Sequence, residues 1–400
     1  MIWPAQSEQQ EAPARILMPT MRAISREAFQ AGFYEAQDVL AEVDRVDLLE
    51  LQAGRAFPVR DRWQRRLLHR HMAPGLAYAN PGLKKVRLSH DYDLFIATCN
   101  NAWDLMYVNA IEGWQERCRV SVCWLDELWI TDIPQRRDLL RTLRRFDHVF
   151  LNTLATAGPL SDFLGRPCHP LPTATDALTF SPLPSPPQRV IDVYSIGRRW
   201  DGVHQALLRA ASESGLFYIH DSFRAMAKME PIDFKQHRRL YANMAKRSRY
   251  FIVSPAKMNQ PQETRGQVEI GYRYFEGAAA GAVLVGQAPD CEPFRRLFPW
   301  PDAVIEVRPD GSDVIDVLAD LDADPERLAA ISRRNAAESL LRHDWIHRWQ
   351  TIFNHAGIAL SPAMTARAKR LQALAGAALT GSATEVESDQ RTDHRSARQR

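Results

Sequence analysis

The sequence predicts an α/β protein built from two doubly wound halves that face a cleft. Three observations carry this reading. Short apolar runs alternate with amphipathic stretches along most of the chain. A proline-rich stretch, LPTATDALTFSPLPSPPQ (171–188), interrupts the alternation. The same pattern then restarts. Strand alternating with helix demands right-handed crossovers and parallel sheets, whose ligands sit at the carboxyl ends of the strands.

The elements follow in order. RILMP (15–19) is the first strand, and residues 29–43 place Phe29, Phe33, Ala36, Leu40 and Val43 at helical spacing. VDLLEL (46–51) is the next strand. RDRWQRRLLHRHM is a basic helix, either solvated or lying on an interface through Trp63, Leu67 and Leu68. DLFIATC (93–99), a helix around Trp103 to Trp114, and RVSVCWL (119–125) come next. RRDLLRTLRRF (136–146) reads as an amphipathic helix with Leu139, Leu140, Leu143 and Phe146 inward, and HVFLN (148–152) as a strand. In the second half, strands are expected at 190–196, 216–220, 250–255 and 302–307, separated by helical stretches. HDWIHRWQTIF (343–353) closes with Trp345, Ile346, Trp349, Ile352 and Phe353 on one face. From about 376 the chain is polar and reads as disordered. The expected organisation is a flexible start at 1–13, an N-terminal Rossmann-like domain at 14–172 and a linker at 173–188. A second Rossmann-like domain at 189–340, a closing helix at 341–360 packing on the first domain, and a tail at 376–400 complete it.

Composition narrows the class. The 400 residues are 45% hydrophobic and 25% charged, as in a globular protein. A net charge of +3 gives no argument for a nucleic-acid partner. The five cysteines lack C-x-x-C spacing, which argues against a disulfide framework or a structural zinc and suits a reducing compartment. The start has no signal-peptide core and no long apolar run follows, so the expectation is cytoplasmic, with peripheral membrane contact left open.

One stretch raises a chemical question. RYFEGAAAGAVLVG (273–286) sets Arg273 and Glu276 one turn apart on a segment of small residues, with Gly281 as its stop. A surface ion pair on a packing helix would explain it. The segment also resembles the R-x-F-E-x-x-A-x-G signature of GT-B glycosyltransferases, in the branch often called group 1. Three other stretches resemble that family in the same order. VYSIGRRWDG (193–202) is similar to its strand and Gly-Arg turn, PTATDALTFSP (172–182) to its interdomain segment, and RHDWIHRWQTIF (342–353) to its closing helix. The resemblance spans roughly 172–356, and the first half matches only as a generic Rossmann-like domain.

The resemblance implies two Rossmann-like domains, with 14–172 as the acceptor domain and 189–340 as the nucleotide-sugar-binding domain, and a transfer of sugar from a nucleotide-sugar donor. It gives Glu276 the ribose hydroxyls, since a carboxylate accepts two donors at once. Arg273 would meet a phosphate or the sugar. Gly197, Arg198 and Arg199 would hold the diphosphate at a helix start. Lys257 and Arg265, in the polar loop KMNQPQETRG, are further candidates. The family's second glutamate, eight residues before the first, is absent: position 268 is Val, and Glu269 is one residue out of register.

On the acceptor side a general base is sought among His90, Asp91, Asp126 and Glu127. Helix-capping acids beside core tryptophans would equally explain Asp126 and Glu127. Asp91 and Asp93 mimic a metal-binding D-x-D but open a strand, the wrong end for this site; Asp320, Asp322 and Asp324 read as turn acids before Pro325. The resemblance implies no metal and no cofactor beyond the nucleotide-sugar. The acceptor is a glycan, a lipid-linked or a small molecule, with surface polysaccharide or glycoconjugate synthesis as the setting. The sequence has no G-x-G-x-x-G after the first strand, no P-loop, no H-E-x-x-H and no G-x-S-x-G. A sugar-nucleotide epimerase of the same fold and a non-catalytic nucleotide- or glycan-binding relative are the alternatives.

Overall fold

A computed structural model describes residues 13–222 and 230–380. Its first sheet has six parallel strands: β1 (Ile16–Thr20), β2 (Val46–Glu50), β3 (Tyr92–Asn101), β4 (Cys118–Glu127), β5 (His148–Leu151) and β6 (His169–Pro170). They lie in the order β2-β1-β3-β4-β5-β6. The second sheet has five: β7 (Ile191–Ser195), β8 (Tyr218–His220), β9 (Ser248–Val253), β10 (Val283–Gly286) and β11 (Ile305–Glu306), in the order β8-β7-β9-β10-β11 and parallel throughout. Central strands such as β10 are buried at every position, which is why they read as continuous apolar runs. The architecture is mixed α/β, with two Rossmann-like sheets.

Helices cover both faces. In chain order the ones that matter for the site are α1 (Ala31–Val43), α2 (Phe57–His69), α3 (Asp201–Glu213), α4 (Phe234–Lys246), α5 (Tyr272–Ala279), α6 (Pro325–Arg342), α7 (Trp345–Ala356) and α8 (Pro362–Thr380). Helix α7 lays its aromatic face on the first half. Trp345 and Trp349 meet Trp124 edge-on at 5.8 and 5.1 Å between ring centroids, and Trp349 Nε1 donates to the Ala36 carbonyl at 2.9 Å. Ile352 and Phe353 are fully buried in the same cluster, and such burial contributes about 1.5–3 kcal/mol per side chain.

Several expectations fail locally. Residues 102–110 form a 3₁₀ helix, and 136–146 break into an α turn (Arg137–Leu140) and a 3₁₀ turn (Arg141–Arg145), although Leu139, Leu140, Leu143 and Phe146 are buried. Only Ile305–Glu306 of the expected strand 302–307 pairs. Residues 376–380 are helical, not disordered, because α8 runs to Thr380 and buries Ala375 and Ala378. Its Arg367 ties the chain down: the guanidinium meets Asp344 at 2.7 Å and Asp176 at 2.6 Å. The remainder of the expected tail, 381–400, and positions 1–12 of the expected flexible start lie outside the described residues.

Candidate functional site

All strands of both sheets point their carboxyl ends at a cleft of about 780 Å³. Its floor and walls come from the loops after β4, β5, β7 and β9, from the start of α1, and from α4 and α5.

The second-domain wall carries the anion-binding features. After β7 the chain turns at Gly197 with φ +83°, a conformation that L side chains rarely adopt. The turn brings Arg198 and Arg199 to the mouth of α3. Arg199 is already engaged: it is ion-paired with the Asp221 carboxylate and donates to the Asp221 carbonyl at 2.7 Å. Arg198 is exposed and makes a single contact, to Gln260 Oε1 at 3.0 Å. Opposite, α5 starts at Gly271 with no side-chain cap, so its first N–H groups face the cleft beside Tyr272 and Arg273.

Glu276 is not where a free ribose ligand would be. It is 1% exposed, and both carboxylate oxygens are taken. Arg238 reaches Oε1 at 2.5 Å, while Arg273 and Tyr241 reach Oε2 at 2.5 and 2.8 Å. Burial alone would raise its pKa, but the two guanidinium groups and the hydroxyl hold it down to about 2. Arg238 continues the chain of charges to Glu35 on α1, at 2.6 Å. Glu35 in turn accepts from Trp345 Nε1 at 2.9 Å and from the Asp176 N–H at 2.7 Å. The network Glu35–Arg238–Glu276–Arg273 thus joins the two halves, the linker and α7 beneath the cleft. The ribose role that the resemblance gives Glu276 therefore meets a closed carboxylate: Arg238 and Arg273 flank it from two helices.

The first-domain wall holds Asp126 at the end of β4. Its Oδ1 accepts from Tyr272 at 2.7 Å and from Asn152 at 2.5 Å. Its Oδ2 has no hydrogen-bond partner among the described residues. Burial in the cleft raises its pKa to about 7, against the pull of those two donors. Tyr272 fits here because α1 offers Gly32: a Cβ at that position would lie 2.8 Å from Tyr272 Cε1. Glu127, by contrast, pairs with Lys257 at 2.5 Å and accepts from Trp129 Nε1 at 2.8 Å. Lys257 also meets Glu263 at 2.7 Å, so its charge is neutralised across the domain gap. Glu269 spans the same gap, accepting the Leu154 and Ala155 N–H groups at 2.9 Å each.

Three sequence candidates fall away from this site. His90 and Asp91 precede β3 and so lie at its amino end; His90 Nε2 contacts the Ala14 carbonyl at 3.1 Å and Asp91 pairs with Arg117 at 3.1 Å. In a parallel sheet that end faces away from the cleft. Arg265 is exposed after the Pro261–Thr264 turn and does not line the cleft. Gly197, Arg198, Arg199, Lys257, Arg273, Glu276, Asp126 and Glu127 do line it. Glu35, Arg238 and Tyr272 were not foreseen. Among the described residues no group of three or more His, Cys, Asp or Glu side chains is arranged to hold a metal ion.

Residues 185–354 match a family model described as glycosyl transferase-like. An alpha-glucosyltransferase solved with UDP and a 13-mer DNA superposes with a TM-score of 0.51 at 13% identity, covering 86% of this chain and 100% of that one. The chain has the GT-B fold, and its residues 185–354 are glycosyl transferase-like. An alpha-glucosyltransferase with UDP-glucose and DNA containing an abasic site is similar too, with a TM-score of 0.50 at 13% identity and coverage of 86% and 100%. A glycosyltransferase from Rickettsia africae ESF-5 shares 10% identity at a TM-score of 0.47, covering 86% and 98%, too distant to bear on chemistry. At these identities the likeness of this GT-B protein to the solved structures concerns the fold. No curated protein matches the chain in sequence. No helix among the described residues is long and apolar enough to cross a membrane.

Proposed function

We propose that this protein moves a glycosyl group from a nucleoside-diphosphate sugar to an acceptor hydroxyl, with Asp126 as the general base. The observation that carries the reading is Asp126 itself. Its carboxylate sits in the cleft with one oxygen fixed and the other free, at a pKa of about 7, suited to taking a proton near neutral pH. It touches α5 through Tyr272, and the uncapped start of α5 is where a diphosphate is best received. Arg198, which meets no carboxylate among the described residues, adds charge there.

The steps balance as a single displacement. The acceptor oxygen attacks the anomeric carbon, its proton passes to Asp126 Oδ2, and the bond from that carbon to the diphosphate breaks. The leaving charge falls to Arg198 and the α5 N–H groups. Attack from the side opposite the leaving group inverts the anomeric centre. The solved alpha-glucosyltransferases hold UDP or UDP-glucose, which supports a uridine nucleotide as the first donor to try. The DNA in those complexes finds no counterpart in a net charge of +3. A glycan, lipid-linked or small-molecule acceptor in surface polysaccharide or glycoconjugate synthesis fits the family setting.

The test is release of nucleoside diphosphate from UDP-sugars with and without a panel of glycan acceptors. Release that needs an acceptor, and that Asp126→Asn abolishes, supports transfer. Conversion of the sugar nucleotide to an isomer with no nucleotide released would instead make the protein an epimerase.

A further inference from the structure

A second cationic site lies on the same edge of the first sheet, outside the cleft lining. Trp103 follows Asn101, the last residue of β3, and Asn101 Oδ1 accepts the Trp103 N–H at 2.9 Å, which fixes the turn. The β3–β4 register sets Asn101 beside Glu127, one residue past Asp126. Over the Trp103 ring lie two guanidinium groups, Arg136 at 4.3 Å and Arg65 at 5.1 Å from the centroid. Arg65 is neutralised by Asp61 at 2.7 Å and donates to the Tyr107 hydroxyl at 2.5 Å. Arg136 is partly buried and has no ion pair or side-chain hydrogen bond among the described residues. The Asp132 carboxylate near it is turned to the Trp129 N–H at 3.0 Å. Helix α2 adds Arg60, Arg62 and Arg66, all exposed, none of which meets a carboxylate among the described residues.

Two cations against one indole, one of them half desolvated and unneutralised, are costly unless an anion joins them. Burial lowers the Arg136 pKa, the Asp132 charge opposes that only in part, and the charge of Arg65 adds to the lowering. The planar guanidinium fork matches phosphate oxygens in pairs.

We propose that Arg136 and Arg65, seated on Trp103, bind a phosphate or diphosphate group carried by the acceptor. This rests on the transfer reading above and makes the acceptor a phosphorylated one, held on the Asp126 side of the cleft.

The probe is inorganic pyrophosphate, titrated calorimetrically into the full chain. Wild type is expected to take up pyrophosphate at two sites. Arg198→Gln removes the cleft site and leaves the other. Adding Arg136→Gln removes the second, with affinity lowered at least tenfold, which is 1.4 kcal/mol or more. Arg136→Lys keeps the charge and retains part of the binding. Trp103→Phe abolishes the fluorescence change that pyrophosphate produces in the Arg198→Gln background. Thermal unfolding checks folding, and Arg136→Gln removes an unpaired charge, so no loss of stability is expected. Pyrophosphate binding unchanged by Arg136→Gln overturns the proposal, and so does loss of all binding in Arg198→Gln alone, which leaves the cleft reading standing. Loss confined to Arg136→Gln supports this site and removes the cleft role of Arg198. Vesicles of phosphatidic acid, against phosphatidylcholine, tell the source. Sedimentation that needs Arg136 supports a lipid-borne phosphate, and binding of glycerol 3-phosphate without sedimentation supports a soluble one.

Discussion

Replacing Glu276 by Gln tests the buried network directly. The side chain keeps its shape and loses its charge. In the wild-type protein the carboxyl pKa falls from 4.5 to about 2 on folding. At about 1.4 kcal/mol per tenfold in proton affinity, that corresponds to about 3 kcal/mol favouring the folded, ionised state. The sign follows from the lowered pKa: this stability is present above pH 4.5 and is lost as pH falls toward 2. Glu276→Gln forgoes it at pH 7 and leaves Arg238 and Arg273 facing each other with one anion fewer. Breaking a buried pair in this way costs about 3–5 kcal/mol. Urea unfolding at pH 7 should then show a midpoint lower by about 1–2 M, for a slope of about 3 kcal/mol per M. The gap between wild type and variant should narrow as pH is lowered below 4.5. Equal midpoints at pH 7, or a gap that stays constant through the acid range, would refute the network as a source of stability.

Further substitutions separate roles within the site and test a histidine cluster outside it. Arg198→Ala should weaken nucleoside diphosphate binding by about 1.5–3 kcal/mol in calorimetry with unfolding unchanged, whereas Arg199→Ala should lower the unfolding temperature because it strands the Asp221 carboxylate. Gly32→Ala should lower the transfer rate more than nucleotide affinity, since its Cβ would displace Tyr272 from Asp126; a rate equal to wild type would show that the contact is slack. His148 and His169 have pKa values lowered by burial and by His355 beside them, so stability should be complete above pH 6.5 and decline as pH falls below it. His355→Gln should reduce that decline in pH-dependent unfolding, and an unchanged slope would remove the cluster from the account.

Much of the fold was legible because its strands obey the rules that sequence carries. Apolar runs such as VLVG in β10 are buried at every position, and the aromatic face of α7 appears at 345, 346, 349, 352 and 353. Strand ends also locate the cleft, which is why Asp126 and Arg198 could be named in advance; His90 and Asp91 were named as well although they precede a strand, and the structure puts them at its amino end. The environment of Glu276 was not legible. Its partner Arg238 lies on another helix, in a run of arginines with nothing to single it out, and Glu35 sits in the other half of the chain among apolar neighbours. Spacing along one helix shows the Arg273–Glu276 pair but not whether a third charge closes it from outside. Likewise Leu139, Leu140, Leu143 and Phe146 announced burial without announcing that two short turns, not one helix, would deliver it.

Two carboxylates of this cleft, Glu276 and Asp126, end in opposite states for one physical reason. Both are withdrawn from water, which by itself favours the protonated form. Glu276 has two guanidinium groups in contact and stays charged far below neutral pH. Asp126 has only a phenol and an amide as donors, with no cation in contact and the Glu127 carboxylate beside it, so burial raises its pKa to about 7. One is therefore fixed as an anion that holds the halves together, and the other is left able to gain and lose a proton. A single short helix connects them: α5 supplies Tyr272 to Asp126, the uncapped N–H groups to the cleft, and Glu276 to the network below. A ligand that pulls on the start of α5 must act on the hydrogen bond to Asp126 as well, so under the proposed transfer donor binding and the protonation of Asp126 would be coupled through Tyr272.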